Sequence, residues 1–248
     1  MQKRNMATVK ILLLCAGLLL AHRAQTQNLQ LHYDLRRTLD PARNMANFPS
    51  LSFEYFKNVD TLNHGAFLLK MQADLTGRRR NIGQLYAQLS QTLRFWQPKV
   101  FLALSYSGGL GVTPDGYGYY LASTLGAGFS YPFQWKGAWL AANVLYRYSA
   151  FDRPSYDPQV TLYLGRGFFN YKLLVSGSLV GWTENRNQGN SYTAGLRGKK
   201  FAFFGDPQVW LTVRKGFAVG TRLNIFYHLL RADNTVQLYP TLGAKYQF

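Results

Sequence analysis

Between residues 65 and 95 apolar and polar side chains take turns with a period of two, which commits this part of the chain to long strands with two unlike faces. Gly65, Phe67, Leu69, Met71, Ala73 and Leu75 alternate with Ala66, Leu68, Lys70, Gln72 and Asp74. Leu85, Ala87, Leu89, Leu93 and Phe95 then alternate with Tyr86, Gln88, Ser90, Thr92 and Arg94. Read in the same way, the sequence holds twelve runs: 28–36, 48–58, 63–75, 83–96, 99–109, 117–132, 137–151, 157–164, 169–184, 200–213, 216–229 and 236–248. Runs of 11 to 16 residues recur, whereas strands of soluble sheets average about 5 or 6. After residue 26 no stretch holds 18 consecutive apolar residues and none sustains a helical apolar period, which excludes a helical membrane protein.

A soluble sandwich or a lipocalin-like barrel also alternates, but it buries its apolar face. Here the enclosed face reads as the polar one in several strands, carrying glutamine, serine, threonine, asparagine and charges. The expected fold is therefore all-β, a single antiparallel transmembrane β-barrel of about twelve strands. Connection lengths agree with it. Odd-to-even connections fall at 37–47, 76–82, 110–116, 152–156, 185–199 and 230–235, and the even-to-odd ones are only 59–62, 97–98, 133–136, 165–168 and 214–215. Outer-membrane barrels alternate longer external loops with short periplasmic turns in this manner, which puts both ends of the chain on the periplasmic side. Phe95-Trp96, Phe129, Tyr131, Tyr146, Tyr148, Phe168-Phe169, Tyr246 and Phe248 lie near strand ends, where interfacial girdles belong.

The amino terminus reads as an export signal. Lys3, Arg4 and Lys10 precede the apolar run 11–21, and Ala24-Gln25-Thr26 supplies small residues for cleavage after Thr26. The apolar run falls short of the roughly 20 residues a spanning helix needs. The organisation expected is thus 1–26 as a cleaved signal peptide and 27–248 as the barrel, located in a Gram-negative outer membrane. Cys15 is the only cysteine and belongs to the signal, so no disulfide and no thiolate metal site is expected beyond it. Four of the 28 basic residues precede residue 27, leaving 24 against 11 acids, an excess of +13. Lys and Arg are scattered rather than clustered, which argues against nucleic acid and for outer-membrane lipid and lipopolysaccharide as partners. Leu242, Ala244, Tyr246 and the terminal Phe248 share one face, the pattern that barrel assembly machinery reads.

If Leu and Val face lipid, the opposite parity turns Tyr86, Tyr120, Trp139, Tyr163, Trp182, Trp210 and Tyr239 inward, with Lys70, Arg94, Arg147, Lys172 and Arg222. An aromatic and basic lumen suits small polar solutes, since rings stack on planar groups and cations hold oxygens. Tyr86, Trp139, Tyr163, Trp182 and Trp210 are the candidate stacking surfaces; Lys70, Arg94, Arg147 and Arg222 are the candidate oxygen ligands. The competing expectation is a lumen filled by these side chains, with the charges paired to Glu54, Asp74 and Asp34. A single bulge would exchange the two faces of a strand beyond it.

A third reading is a lipid-modifying enzyme. His32 and Asp34 share a strand face and could orient a general base, with Thr241 on the strand that closes against them. Gly-x-Ser-x-Gly does not occur, and His32, His64 and His228 do not converge, so neither catalytic residues nor a metal or other cofactor is expected.

Further motifs are His32-Tyr33-Asp34-Leu35, Phe53-Glu54-Tyr55-Phe56-Lys57, Leu93-Arg94-Phe95-Trp96, Tyr106-Ser107-Gly108-Gly109-Leu110-Gly111, Asp206-Pro207-Gln208-Val209-Trp210 and Pro240-Thr241-Leu242-Gly243-Ala244-Lys245-Tyr246-Gln247-Phe248. In this order and spacing, over nearly all of 28–248, the chain resembles an outer-membrane family with a domain of unknown function, similar to the Tsx-like nucleoside-specific channel-forming porins. The resemblance implies a monomeric twelve-stranded barrel passing nucleosides or similar solutes. Where that family tends to carry acids this chain has Gln88, Ser105 and Arg222, which implies a lean toward anionic or neutral solutes such as nucleotides and sugar phosphates.

Overall fold

In the computed structural model the described residues are 27–57, 65–77, 81–94, 96, 99–113, 116–230 and 233–248. The expected signal segment, Phe95, His64 and the turn 59–62 lie outside them. Thirteen strands and one short helix follow in order: β1 (Gln27–Asp34), α1 (Arg36–Leu39), β2 (Phe48–Lys57), β3 (Phe67–Asp74), β4 (Gln84–Leu93), β5 (Phe101–Val112), β6 (Gly118–Trp135), β7 (Ala138–Ser149), β8 (Ser155–Phe168), β9 (Leu173–Asn185), β10 (Lys199–Gly205), β11 (Gln208–Arg214), β12 (Phe217–Tyr227) and β13 (Gln237–Gln247). Neighbours pair antiparallel throughout. The first strand closes on the last, from Asn28 opposite Gln247 to Asp34 opposite Thr241. Because β10 and β11 both lie between β9 and β12, they make one broken stave, and the wall has twelve.

The faces are those of an inverted protein. Inward positions are buried and polar, including Gln30, His32, Asp34, Asn143, Thr161, Asp206, Arg222 and Thr241. Outward positions are exposed and apolar, including Leu31 at 53%, Val144 at 57% and Leu242 at 62%. Backbone groups find partners within a closed antiparallel wall, so no edge is left, and an apolar outer surface is what a hydrocarbon surround requires. Exposed rings border the apolar band: Tyr131, Trp135, Phe217, Tyr246 and Phe248 toward the short turns, and Tyr33, Tyr146 and Tyr156 toward the long loops. No helix among the described residues is long and apolar enough to cross a membrane.

Three local expectations are corrected. The run 200–213 is split by Asp206-Pro207, because proline has no N–H for the ladder. The opposing backbone comes close there: a Cβ on Gly177, whose φ is +151°, would lie 2.7 Å from the Asp206 carbonyl oxygen, so only glycine fits. The turn placed at 165–168 lies at 169–172, where Phe169, Asn170 and Tyr171 take positive φ. Gly165 and Gly167 are strand residues, and the Tyr171 ring lies over Gly167 where a Cβ would otherwise sit. Lys172 is consequently an exposed turn residue and not a lumen one. Finally, a bulge between β5 and β6 at Gly109/Leu110 shifts the register and exchanges the faces of β6 beyond it. Tyr120 then stands opposite the outward Leu110 and is 78% exposed, while Tyr119 turns inward and its hydroxyl accepts a hydrogen bond from Gln84.

Candidate functional site

The lumen is crossed by side chains from opposite walls. Lys70 on β3 reaches Asp206 at the break between β10 and β11, five staves away around a wall of twelve, so this ion pair runs close to a diameter. Asp206 is fixed for the role. Its other carboxylate oxygen accepts from the Ser178 backbone N–H at 2.8 Å and the Ser178 hydroxyl at 2.7 Å. Nearby, Gln88 Nε2 on β4 donates to the Tyr163 hydroxyl on β8 at 3.2 Å. Toward the short turns the Phe56 and Trp139 rings, on β2 and β7, approach to 5.9 Å between centroids.

One wall is packed solid. His32, wholly buried, shares hydrogen bonds of 2.9 Å with the Thr241 hydroxyl and the Gln30 carbonyl, and meets the Trp210 ring edge-on at 5.5 Å. Trp210 donates its indole N–H to Gln208 at 2.8 Å and carries the Lys245 ammonium 4.6 Å from its ring. Arg222 reaches Ser52 at 3.5 Å, and its Nε, although buried, has no hydrogen-bond partner.

The long-loop half is an ionic network. Glu184 accepts from the Trp182 indole at 3.0 Å and pairs with Lys200 at 3.0 Å and Arg147 at 3.8 Å, while the Arg147 guanidinium lies 4.6 Å over the Trp182 ring. Asp157 pairs with Lys199 at 2.5 Å. Asp34 takes a two-pronged contact from Arg36 at 2.9 and 3.0 Å, and Arg36 in turn sits against the Phe48 and Tyr239 rings. The Asp34 carboxylate is thus given to Arg36, and the His32–Asp34 base-orienting pair is not formed.

Between the Phe56–Trp139 contact and the Lys70–Asp206 bridge, in the short-turn half, lies a cavity of about 370 Å³. Glu54, Lys70, Asn143, Tyr163 and Lys245 supply its polar groups, and Phe56, Phe101, Pro132, Trp139 and Leu174 its apolar wall. Of the residues expected from the sequence, Lys70, Trp139 and Tyr163 meet in this cavity. Tyr86 faces inward beside them, in register with Gln72 and Gly109. Arg147 and Trp182 are inward too but belong to the network near the long loops, and both faces of the expected pair are used on each other. Trp210, 1% exposed, is part of the packed wall. Arg94 lies beyond the end of β4, donating to the Trp96 carbonyl at 3.0 Å with its guanidinium 5.8 Å from the ring of Phe101, which belongs to the cavity wall, and is not itself among the cavity-lining residues.

The lumen carries more acids than expected from the sequence. Asp34, Asp157, Glu184 and Asp206 are buried inside, and Glu54 and Asp74 share the inward face with Lys70 and Ser50. The positive excess instead sits on turns and loops, at Lys99, Lys136, Lys172 and Lys215 on one end and Arg37, Arg43, Arg153, Arg186 and Arg197 on the other. The reason is energetic: an enclosed charge without a partner is costly, whereas water and lipid headgroups solvate the rims. Asp157 and Glu184 share parity with Tyr163 and Trp182 and were visible in the sequence; the role of Asp206 was marked only by the Asp-Pro step.

Comparison with known proteins bears on the fold and the family. A family profile described as a domain of unknown function matches residues 26–248. No curated protein matches the sequence. Among solved structures, the NanC porin superposes with a TM-score of 0.52 at 7% identity, over 90% of this chain and 100% of that one. LpxR from Salmonella typhimurium gives 0.47 at 11%, over 90% and 100%, and the translocator domain of the autotransporter NalP from Neisseria meningitidis gives 0.41 at 9%, over 99% and 96%. At 7% identity the likeness to NanC shows a shared barrel fold.

Proposed function

The chain belongs to the family described as domain of unknown function DUF5020, and from that premise we propose that it is an outer-membrane channel for small polar solutes. The observation that carries this reading is the unfilled 370 Å³ inside a closed barrel, lined by ionisable and hydrogen-bonding groups together with aromatic rings. A lumen serving stability alone would gain by filling that space, since empty volume forfeits contacts on every side. The short turns would face the periplasm and the long loops the outside. Lys70, Tyr86, Trp139 and Tyr163 act at the narrow part, and Arg147, Trp182 and Arg222 order the wall above it.

Nucleosides, suggested by the resemblance to Tsx-like channels, are the first solutes to try. Because six enclosed acids nearly match the seven bases placed among them, Arg36, Lys70, Arg147, Lys199, Lys200, Arg222 and Lys245, little discrimination by net charge follows from the lumen. In proteoliposome swelling, nucleosides and monosaccharides are expected to enter, and nucleotides to enter more slowly for their size. Swelling by none of them favours the second reading, a structural or surface-binding barrel with a filled lumen. That reading has its own observation in the three contacts that cross the bore, Lys70–Asp206, Gln88–Tyr163 and Phe56–Trp139.

A further inference from the structure

We propose that the short-turn half of the lumen is a binding site for a zwitterionic solute with an apolar side chain, of the class of α-amino acids and short peptides. The proposal rests on the channel reading for the solute's way in, and names what the cavity holds.

The cavity's charges are of two kinds. Lys70 is engaged by Asp206, and elsewhere in the lumen Glu184, Asp157 and Asp34 are likewise taken by Lys200, Lys199 and Arg36. Glu54 and Lys245 differ. Both line the cavity, and neither makes a hydrogen bond or a close ion pair among the described residues: Glu54 stands cross-strand from Lys70, whose ammonium is turned to Asp206, and the Lys245 ammonium lies against the Trp210 ring. They stand on β2 and β13, the two neighbours of β1, with Glu54 in register with Asn28 and Lys245 in register with Gln30. Two strand spacings and a two-residue offset along β1 put their backbones about 12 Å apart, so the side chains can flank one ligand headgroup from either side. An α-ammonium beside Glu54 and an α-carboxylate beside Lys245 would satisfy both charges in the enclosed space, where pairing is worth most.

Two further observations fix the rest of the ligand. The Phe56 and Trp139 rings, tilted 60° at 5.9 Å, form an apolar shelf in the same cavity, suited to an aliphatic or aromatic side chain. Across from β1, Asn143 on β7 is 3% exposed and its Oδ1 has no hydrogen-bond partner, although it lines the cavity. A buried acceptor left unmade is costly, and a turn of the Asn143 side chain toward the cavity would let an additional ligand N–H, such as a dipeptide's amide, meet it. The volume is near the lower end of the roughly 300–1,000 Å³ typical of ligand pockets, which fits a solute of this size.

The test is isothermal titration of the purified full-length barrel in detergent with L-phenylalanine, hydrocinnamate and phenethylamine, alongside proteoliposome swelling. Phenylalanine is expected to bind at least tenfold more tightly than either analogue, each of which lacks one charge. Glu54→Gln should lower phenylalanine affinity at least tenfold while leaving hydrocinnamate unchanged; Lys245→Met should lower it similarly while leaving phenethylamine unchanged. If either variant fails to fold, the ligand comparison on the wild type decides alone. Analogues that bind as tightly as phenylalanine, or phenylalanine that does not bind, would overturn the proposal. Binding without any solute entry leaves this site standing and removes the channel; solute entry without phenylalanine binding does the reverse.

Discussion

Replacing Lys70 by methionine is expected to destabilise the barrel by about 3 kcal/mol, the lower end of the range for breaking an enclosed ion pair. The lower end applies because the Lys70 side chain is 21% exposed, so lumen water shares its solvation, whereas Asp206 is 4% exposed. What remains after the substitution is a carboxylate fixed by Ser178 that has lost its paired ammonium. The double variant Lys70→Met with Asp206→Asn removes both charges and should recover most of the loss. Urea titration in vesicles, followed by the mobility of the folded barrel on an unheated detergent gel, measures both. A single variant within 0.5 kcal/mol of wild type would mean that the bridge across the bore carries no weight.

Leu31→Arg is expected to cost about 2–4 kcal/mol for a charge on the lipid face near the middle of the bilayer. Leu31 is 53% exposed, lies halfway along β1 and faces outward between Leu51 and Ala244. In a soluble protein the same change at a half-exposed position would be nearly neutral. Tyr192→Arg supplies the internal control: Tyr192 is 94% exposed on the loop before β10, and its substitution should stay within about 0.5 kcal/mol. Equal effects at the two positions would contradict the assignment of an apolar band to the outer wall.

Strand number, closure and most of the inward face were legible because a period of two is imposed directly by the pleat, and one buried face makes register costly to change. Lys70, Trp139 and Tyr163 were found in this way, and they do share a cavity. Tyr120 was misplaced because the bulge beside Gly109 adds a residue without altering composition. Lys172 was misplaced because Gly165 and Gly167 read as a turn, although Tyr171 covers one of them and the chain reverses four residues later. The candidate site was less legible than the wall that carries it. Glu54, Asn143 and Lys245 come from β2, β7 and β13, and only closure of the barrel brings them to one space. That Lys70 meets Asp206 rather than its cross-strand neighbour Glu54 depends on the reach of side chains over the lumen, which spacing along the sequence does not encode.

Whether anything passes through the barrel is decided most directly by recording from the purified protein in planar lipid bilayers under a salt gradient. Discrete conductance steps with a reversal potential close to zero are expected, because six enclosed acids face the bases of the lumen. A membrane that stays silent at protein densities where vesicles contain folded barrel, or steps with strong preference for one sign of ion, would contradict it.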